Sequence, residues 1–169
     1  MTSRVGKSTV WLNVVNHGRR NGLEEGASGS DIASMSSSYS GTPLALKLGM
    51  KAGTRAWFLG MPDSVRDEIG RDAPPFELLK APEPPVDLAH IFVTSCAALD
   101  CELRMLLPLI ARDGAIWVSW PKKASRVPTD ITEDVIRAVA LPLHLVDVKV
   151  CAVDDIWSGL KLVIRTEHR

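Results

Sequence analysis

Apolar and polar residues fall into short regular blocks from Ser40 onward, and turn residues separate the blocks. "SGTPLALKLG" predicts a short helix, with Thr42 as cap, Pro43 in the first turn and Gly49 as its end. "TRAWFLG" (Thr54–Gly60) and "LAHIFVTS" (Leu88–Ser95) are continuous apolar runs bounded by turn signals, the mark of buried strands. "DSVRDEIG" between them predicts a helix begun by Asp63 or Ser64 and stopped by Gly70. "FELL" (Phe76–Leu79) is a candidate short strand before the proline-rich loop "KAPEPPVD". In "CAALDCELRMLLPLIARDG", Leu99, Leu103, Leu106, Leu107 and Ile110 recur at helical spacing, with Pro108 set to kink or shorten the helix. "AIWVSW" (Ala115–Trp120) is a third strong strand. "TDITEDVIRAVAL" is a helix in which Asp130 and Glu133 stand in a capping relation. Finally "LVDVKVCAV" and "GLKLVIR" alternate strictly around the turn "DDIWSG", as a hairpin does. Strand, helix and strand in alternation, closed by a hairpin, give an α/β fold: a mostly parallel sheet with a C-terminal antiparallel β-hairpin.

Residues 1–38 have no such pattern. "GRRNGLEEGASGSDIASMSSSYSG" is rich in Gly, Ser and charge and is expected to be a disordered extension ahead of one domain at 39–169. Met35 stands just before the regular pattern and is a candidate translation start, which would leave 1–34 as an appendage. "RVGKST" resembles the end of a phosphate loop. However, Met1 occupies the position of the loop's first glycine and no strand can precede it.

Composition narrows the function classes. Lys plus Arg and Asp plus Glu number 20 each, with 46% apolar residues. That balance argues against a dedicated nucleic-acid binder, and no apolar run spans a bilayer. No signal-peptide pattern opens the chain, so a reducing cytoplasm is expected, with Cys96, Cys101 and Cys151 as free thiols. Their spacing matches no zinc site, and His17, His90, His144 and His168 are scattered, so no metal is expected. Trp57 and Trp117 read as core or sheet-face residues, Trp157 as part of the hairpin loop, and Asp154 and Asp155 as a polar turn. Lys161 and Arg165 alternate with apolar residues, as on an edge strand with one exposed face.

Two resemblances add to this reading. Thr42–Gly60, "TPLALKLGMKAGTRAWFLG", resembles the entry to class I methyltransferases, and the terminal hairpin resembles the end of those domains. The loop "GMPDSVRDEIG" departs from them: Met61 and Pro62 follow Gly60 where the family has further glycines. "YSGTPLALKLG", "IFVTS", "WVSWPKKASRVPTDITEDV" and "VDVKVCAVDDIWSGLKLVIR" are similar to an uncharacterised family of small bacterial proteins. That second resemblance, from about Tyr39 to Arg169, implies a three-layer, Rossmann-like, degenerate methyltransferase-type fold and assigns no catalytic residue.

In parallel sheets of this kind, ligands bind beyond the carboxyl ends of the strands. Those ends offer Gly60, Thr94, Ser95, Trp120, Lys122, Lys123 and Ser125 as candidate ligand-binding residues. Hydroxyls, two lysines and helix N-termini together suit a small anion. The plainer reading has the lysines as solvated loop charges and Thr94 or Ser95 as a helix cap. Cys96 at a helix start beside lysines is a candidate reactive thiol, with core packing as its plainer role. No acid–base pair or triad is visible. The expected function is therefore a non-catalytic ligand-binding or regulatory domain without a cofactor. The alternative is a divergent S-adenosylmethionine-dependent methyltransferase, with S-adenosylmethionine as cofactor. The edge hairpin is the expected docking surface for a protein partner or a second copy, and neither nucleic acid nor membrane is expected as a partner.

Overall fold

The computed structural model of the protein describes residues 41–169; the expected extension, the candidate start at Met35 and the "RVGKST" match lie outside them. The chain runs through α1 (Leu44–Leu48), β1 (Arg55–Leu59), α2 (Asp63–Asp72), β2 (Glu77–Leu78), β3 (Val86–Phe92), α3 (Cys96–Leu106), β4 (Ile110–Pro121), α4 (Glu133–Ala140), β5 (Leu145–Ala152) and β6 (Trp157–Ile164). Six strands form one sheet in the order β2-β1-β3-β4-β6-β5. The first four strands in that order are parallel, and β6 is antiparallel to both β4 and β5.

The largely apolar runs of β3 and β4, broken only by buried His90 and Ser119 in their central parts, follow from burial on both faces. One face carries Ile91, Ile116, Val118 and Leu160 against Leu99 and Leu103 of α3 and Ile136 of α4. The other carries Ala56, Leu88, Phe92 and Trp117 against Leu44 and Leu48 of α1 and Val65 and Ile69 of α2. These are the three layers of a mixed α/β fold. Trp117 is fully buried and donates its Nε1 hydrogen to the Leu48 carbonyl at 2.9 Å, tying α1 to the middle of the sheet.

Several local expectations are corrected. Thr42 does not cap α1: Pro43 holds the N-cap position without a side-chain bond, while Gly49 closes the helix as expected at φ 82°. Gly70 does not stop α2, which continues to Asp72, next to the Pro74–Pro75 pair. An exposed glycine costs a helix only about 1 kcal/mol. Pro108 shortens α3 to Leu106: Leu107 keeps helical angles, but the proline has no N–H with which to continue the helix. The segment predicted as helix end is instead the start of β4, which begins at Ile110 rather than Ala115. A register shift between Val86 and Leu88 accommodates it, and there a Cβ on Gly114 would stand 2.9 Å from the Ala111 carbonyl and 3.0 Å from that of Asp87.

Asp130 and Glu133 do not cap α4. Thr132 does, its Oγ1 accepting from the Val135 N–H at 3.3 Å. Lys161 and Arg165 do not belong to an edge strand either. β6 is inserted between β4 and β5, so β5 is the free edge, exposing Val148 and Val150.

Candidate functional site

The chain leaves β1 for β2 on one side and returns to β3 on the other, so the sheet has its switch point between β1 and β3. Crevices at such points, beyond the strands' carboxyl ends, are where α/β sheets hold ligands. Gly60 ends β1 there, exposed, with φ 63°; a Cβ would approach the Phe92 carbonyl to 3.1 Å. Thr94 and Ser95 end β3. Ser95 caps α3, its Oγ accepting from the Ala98 N–H at 3.3 Å.

The loop after β4 folds onto this end of β3. The Thr94 carbonyl accepts from the Thr129 hydroxyl at 2.8 Å and from the Asp130 N–H at 3.3 Å. Asp130 Oδ1 in turn accepts from the Cys96 N–H at 2.7 Å. The N-terminus of α3 therefore already holds a carboxylate of the protein's own. Cys96 is half-buried beside that carboxylate rather than beside lysines.

The remaining candidates go elsewhere. Trp120 is 9% exposed and packs in the core on the α3 and α4 side. Lys122 donates its ammonium to the Asp154 carbonyl at 2.5 Å and its N–H to the Ile156 carbonyl at 2.7 Å, holding the β5–β6 turn. The Ser125 hydroxyl donates to the Lys122 carbonyl at 2.7 Å and closes the short turn Lys123–Ser125. Lys123 is exposed on that turn. Asp154 Oδ1 accepts from the Ile156 and Trp157 N–H groups at 2.8 and 2.6 Å, a side-chain turn. Trp157 begins β6, past that turn, and meets Phe92 edge-on at 5.0 Å. Among the seven candidates, Gly60, Thr94 and Ser95 thus share the switch point, while Lys122 and Ser125 build turns on the antiparallel side.

The sequence reading weighed His90 only as a metal ligand and placed it in no site. It lies fully buried in the middle of β3, with Nε2 2.7 Å from the Ser119 hydroxyl of β4 and its ring 4.6 Å from Phe92. Burial pushes its pKa down to about 3, and Nδ1 has no partner. The available signal was one polar residue inside the apolar run "LAHIF".

No family model matches the chain, and no curated protein matches it. Solved structures do. A SAM dependent methyltransferase from Aquifex aeolicus is 14% identical, covering 70% of this chain and 87% of its own, with a TM-score of 0.51. Fibrillarin from Aeropyrum pernix, with natively bound S-adenosyl-L-methionine, is 15% identical over 71% of this chain and 73% of its own, at 0.46. The ribosomal protein L11 methylase of Lactobacillus delbrueckii subsp. bulgaricus is 11% identical over 72% and 77%, also at 0.46. The Aquifex likeness shows the fold: a mixed sheet of methyltransferase type with an antiparallel edge, as the resemblance in the sequence implied.

Proposed function

We propose that this chain is a divergent domain of the S-adenosylmethionine-dependent methyltransferase class, with its ligand seated over the carboxyl ends of β1 and β3. The observation that carries the reading is the sheet order β2-β1-β3-β4-β6-β5, which sets one switch point beside the exposed, side-chain-free Gly60. Gly60 lets a ligand approach the backbone closely.

Two charged side chains near that point are Asp63, in the first turn of α2, and Asp130, on the Cys96 N–H. Two carboxylates suit a ligand bearing a sulfonium and an ammonium better than the small anion expected from Lys122 and Lys123. Gly60, Thr94, Ser95 and Asp63 are the residues that would hold it. S-adenosylmethionine supplies an electrophilic methyl group when bound. The sugar end fits less well. Dinucleotide-binding sheets place a carboxylate on the ribose hydroxyls about 20 residues past the glycine loop, and Lys80 stands there, after β2. No residue is therefore assigned a role in methyl transfer.

The second reading, a ligand-binding or regulatory domain without catalysis, is favoured by the loop itself: Met61 is buried and Pro62 has no N–H to offer. A cytoplasmic location is part of the proposal. Among the described residues no helix is long and apolar enough to cross a membrane.

Calorimetric titration of the full chain with S-adenosylmethionine tests the proposal. Saturable binding that Gly60→Ala or Thr94→Val weakens is the expected outcome. Heat indistinguishable from dilution at millimolar ligand would overturn it. Transfer of a labelled methyl group to components of a cell extract separates the catalytic reading from the regulatory one.

A further inference from the structure

The opposite end of the sheet holds a groove of about 440 Å³, between the end of α1 and the amino ends of β1, β3 and β4. That volume lies in the range of small-molecule sites. Its walls differ in charge. Lys51 and Lys161 line it together with Gly49 and Thr54, and Asp87 and Asp113 line it as well.

Lys161 on β6 stands directly across from Lys149 on β5, so two ammonium groups share one face in register. Like charges in that position destabilise a sheet. The protein relieves this only in part. Lys149 donates to the Lys47 carbonyl at 3.1 Å, at the end of α1. The Lys161 ammonium lies 3.6 Å from where a Gly49 Cβ would be and makes no hydrogen bond or ion pair among the described residues. Burial, then Lys149 and Lys51, lower the pKa of Lys161, as expected of a cation half-withdrawn from water beside other cations. Asp87 Oδ2 is held by the Arg55 N–H at 2.8 Å, whereas Asp113 is exposed and has no partner among the described residues.

We propose that this groove binds a compact phosphorylated small molecule, its phosphate between Lys161 and Lys51, with Lys149 adding positive charge from across the β5–β6 pair, and its hydroxyl or amine donors directed to Asp113. The ammonium groups of Lys161 and Lys51 supply charge-assisted bonds to phosphate oxygens, and a free carboxylate accepts only from donors. The same carboxylates disfavour a continuing phosphodiester backbone, so a nucleic acid strand is not the occupant. The site lies at the far end of the strands from the switch point and is independent of the methyltransferase reading.

Titration of the full chain with ribose 5-phosphate and with inorganic phosphate tests it. Ribose 5-phosphate should bind saturably and more tightly than inorganic phosphate. Lys161→Gln should weaken it about tenfold or more, and Lys161→Arg should retain it. Asp113→Asn should weaken the sugar phosphate and not inorganic phosphate, while Lys123→Gln, on the other end of the sheet, should leave both unchanged. Thermal unfolding without ligand controls for folding, because Lys149→Gln removes repulsion and should not lower the midpoint. The proposal falls if neither phosphate binds, if Lys161→Gln binds as wild type does, or if a single-stranded oligonucleotide displaces the sugar phosphate. It also falls if Lys149→Gln lowers the midpoint without changing binding, which would make the lysines mere partners of α1.

Discussion

His90 sets one property of the molecule that its neighbours in sequence do not announce. A fully buried imidazole with its pKa lowered to about 3 stays neutral in the fold, while in the unfolded chain it titrates near 6.5. The unfolded state therefore binds the extra proton between those values, and stability that is present above pH 6.5 is lost as the pH falls toward 3. The loss amounts to about 2 kcal/mol at pH 5, on the basis of 1.36 kcal/mol per unit. Urea unfolding of wild type and His90→Gln at pH 7 and pH 5 measures it. The variant should show a smaller drop; an equal drop would assign the acid sensitivity to carboxylates instead. The polar residue in "LAHIF" was visible in the sequence. Its pairing with Ser119, 29 positions away, was not.

At the scale of elements, apolar runs predicted strands well, while the caps divided: Gly49 and Ser95 serve as expected, and Thr42 and Asp130 do not. β1, β3 and the hairpin strands are found where continuous or alternating apolar runs predicted them, because burial of a strand's faces writes itself into every residue of the strand. A cap rests on one side chain, and "VPTDITED" offers Thr129, Asp130 and Thr132 within four positions. Asp130 turned out to serve α3, reaching the Cys96 N–H across 34 residues of sequence. Thr132→Ala should therefore cost about 1 kcal/mol through α4. Asp130→Ala should also destabilise, but with loss of amide protection at Cys96 rather than at Val135. Hydrogen exchange on the two variants distinguishes the effects, and the reverse pattern would restore Asp130 as the cap of α4.

For the whole molecule, one sheet with a core on each face predicts a single cooperative unit. Leu48 belongs to the core under α1 and α2, and Leu103 to the core under α3. Leu48→Ala and Leu103→Ala should each cost about 2–5 kcal/mol and shift one shared transition, and their effects should add. Two separate transitions in either variant would show that the faces unfold independently.

The sequence by itself determined the α/β class, the buried strands, the closing hairpin and the isolation of Gly60 in a loop without further glycines, since these follow from periodicity and from single residues. Tertiary structure alone decided the rest. It put β6 inside β5, making Lys161 a residue of an interior strand set against Lys149. It also turned Lys122 toward Asp154 and brought Asp130 to α3. Each depends on which segments become neighbours, and long-range pairing is settled by packing and hydrogen bonding across the sheet, to which no local pattern gives access.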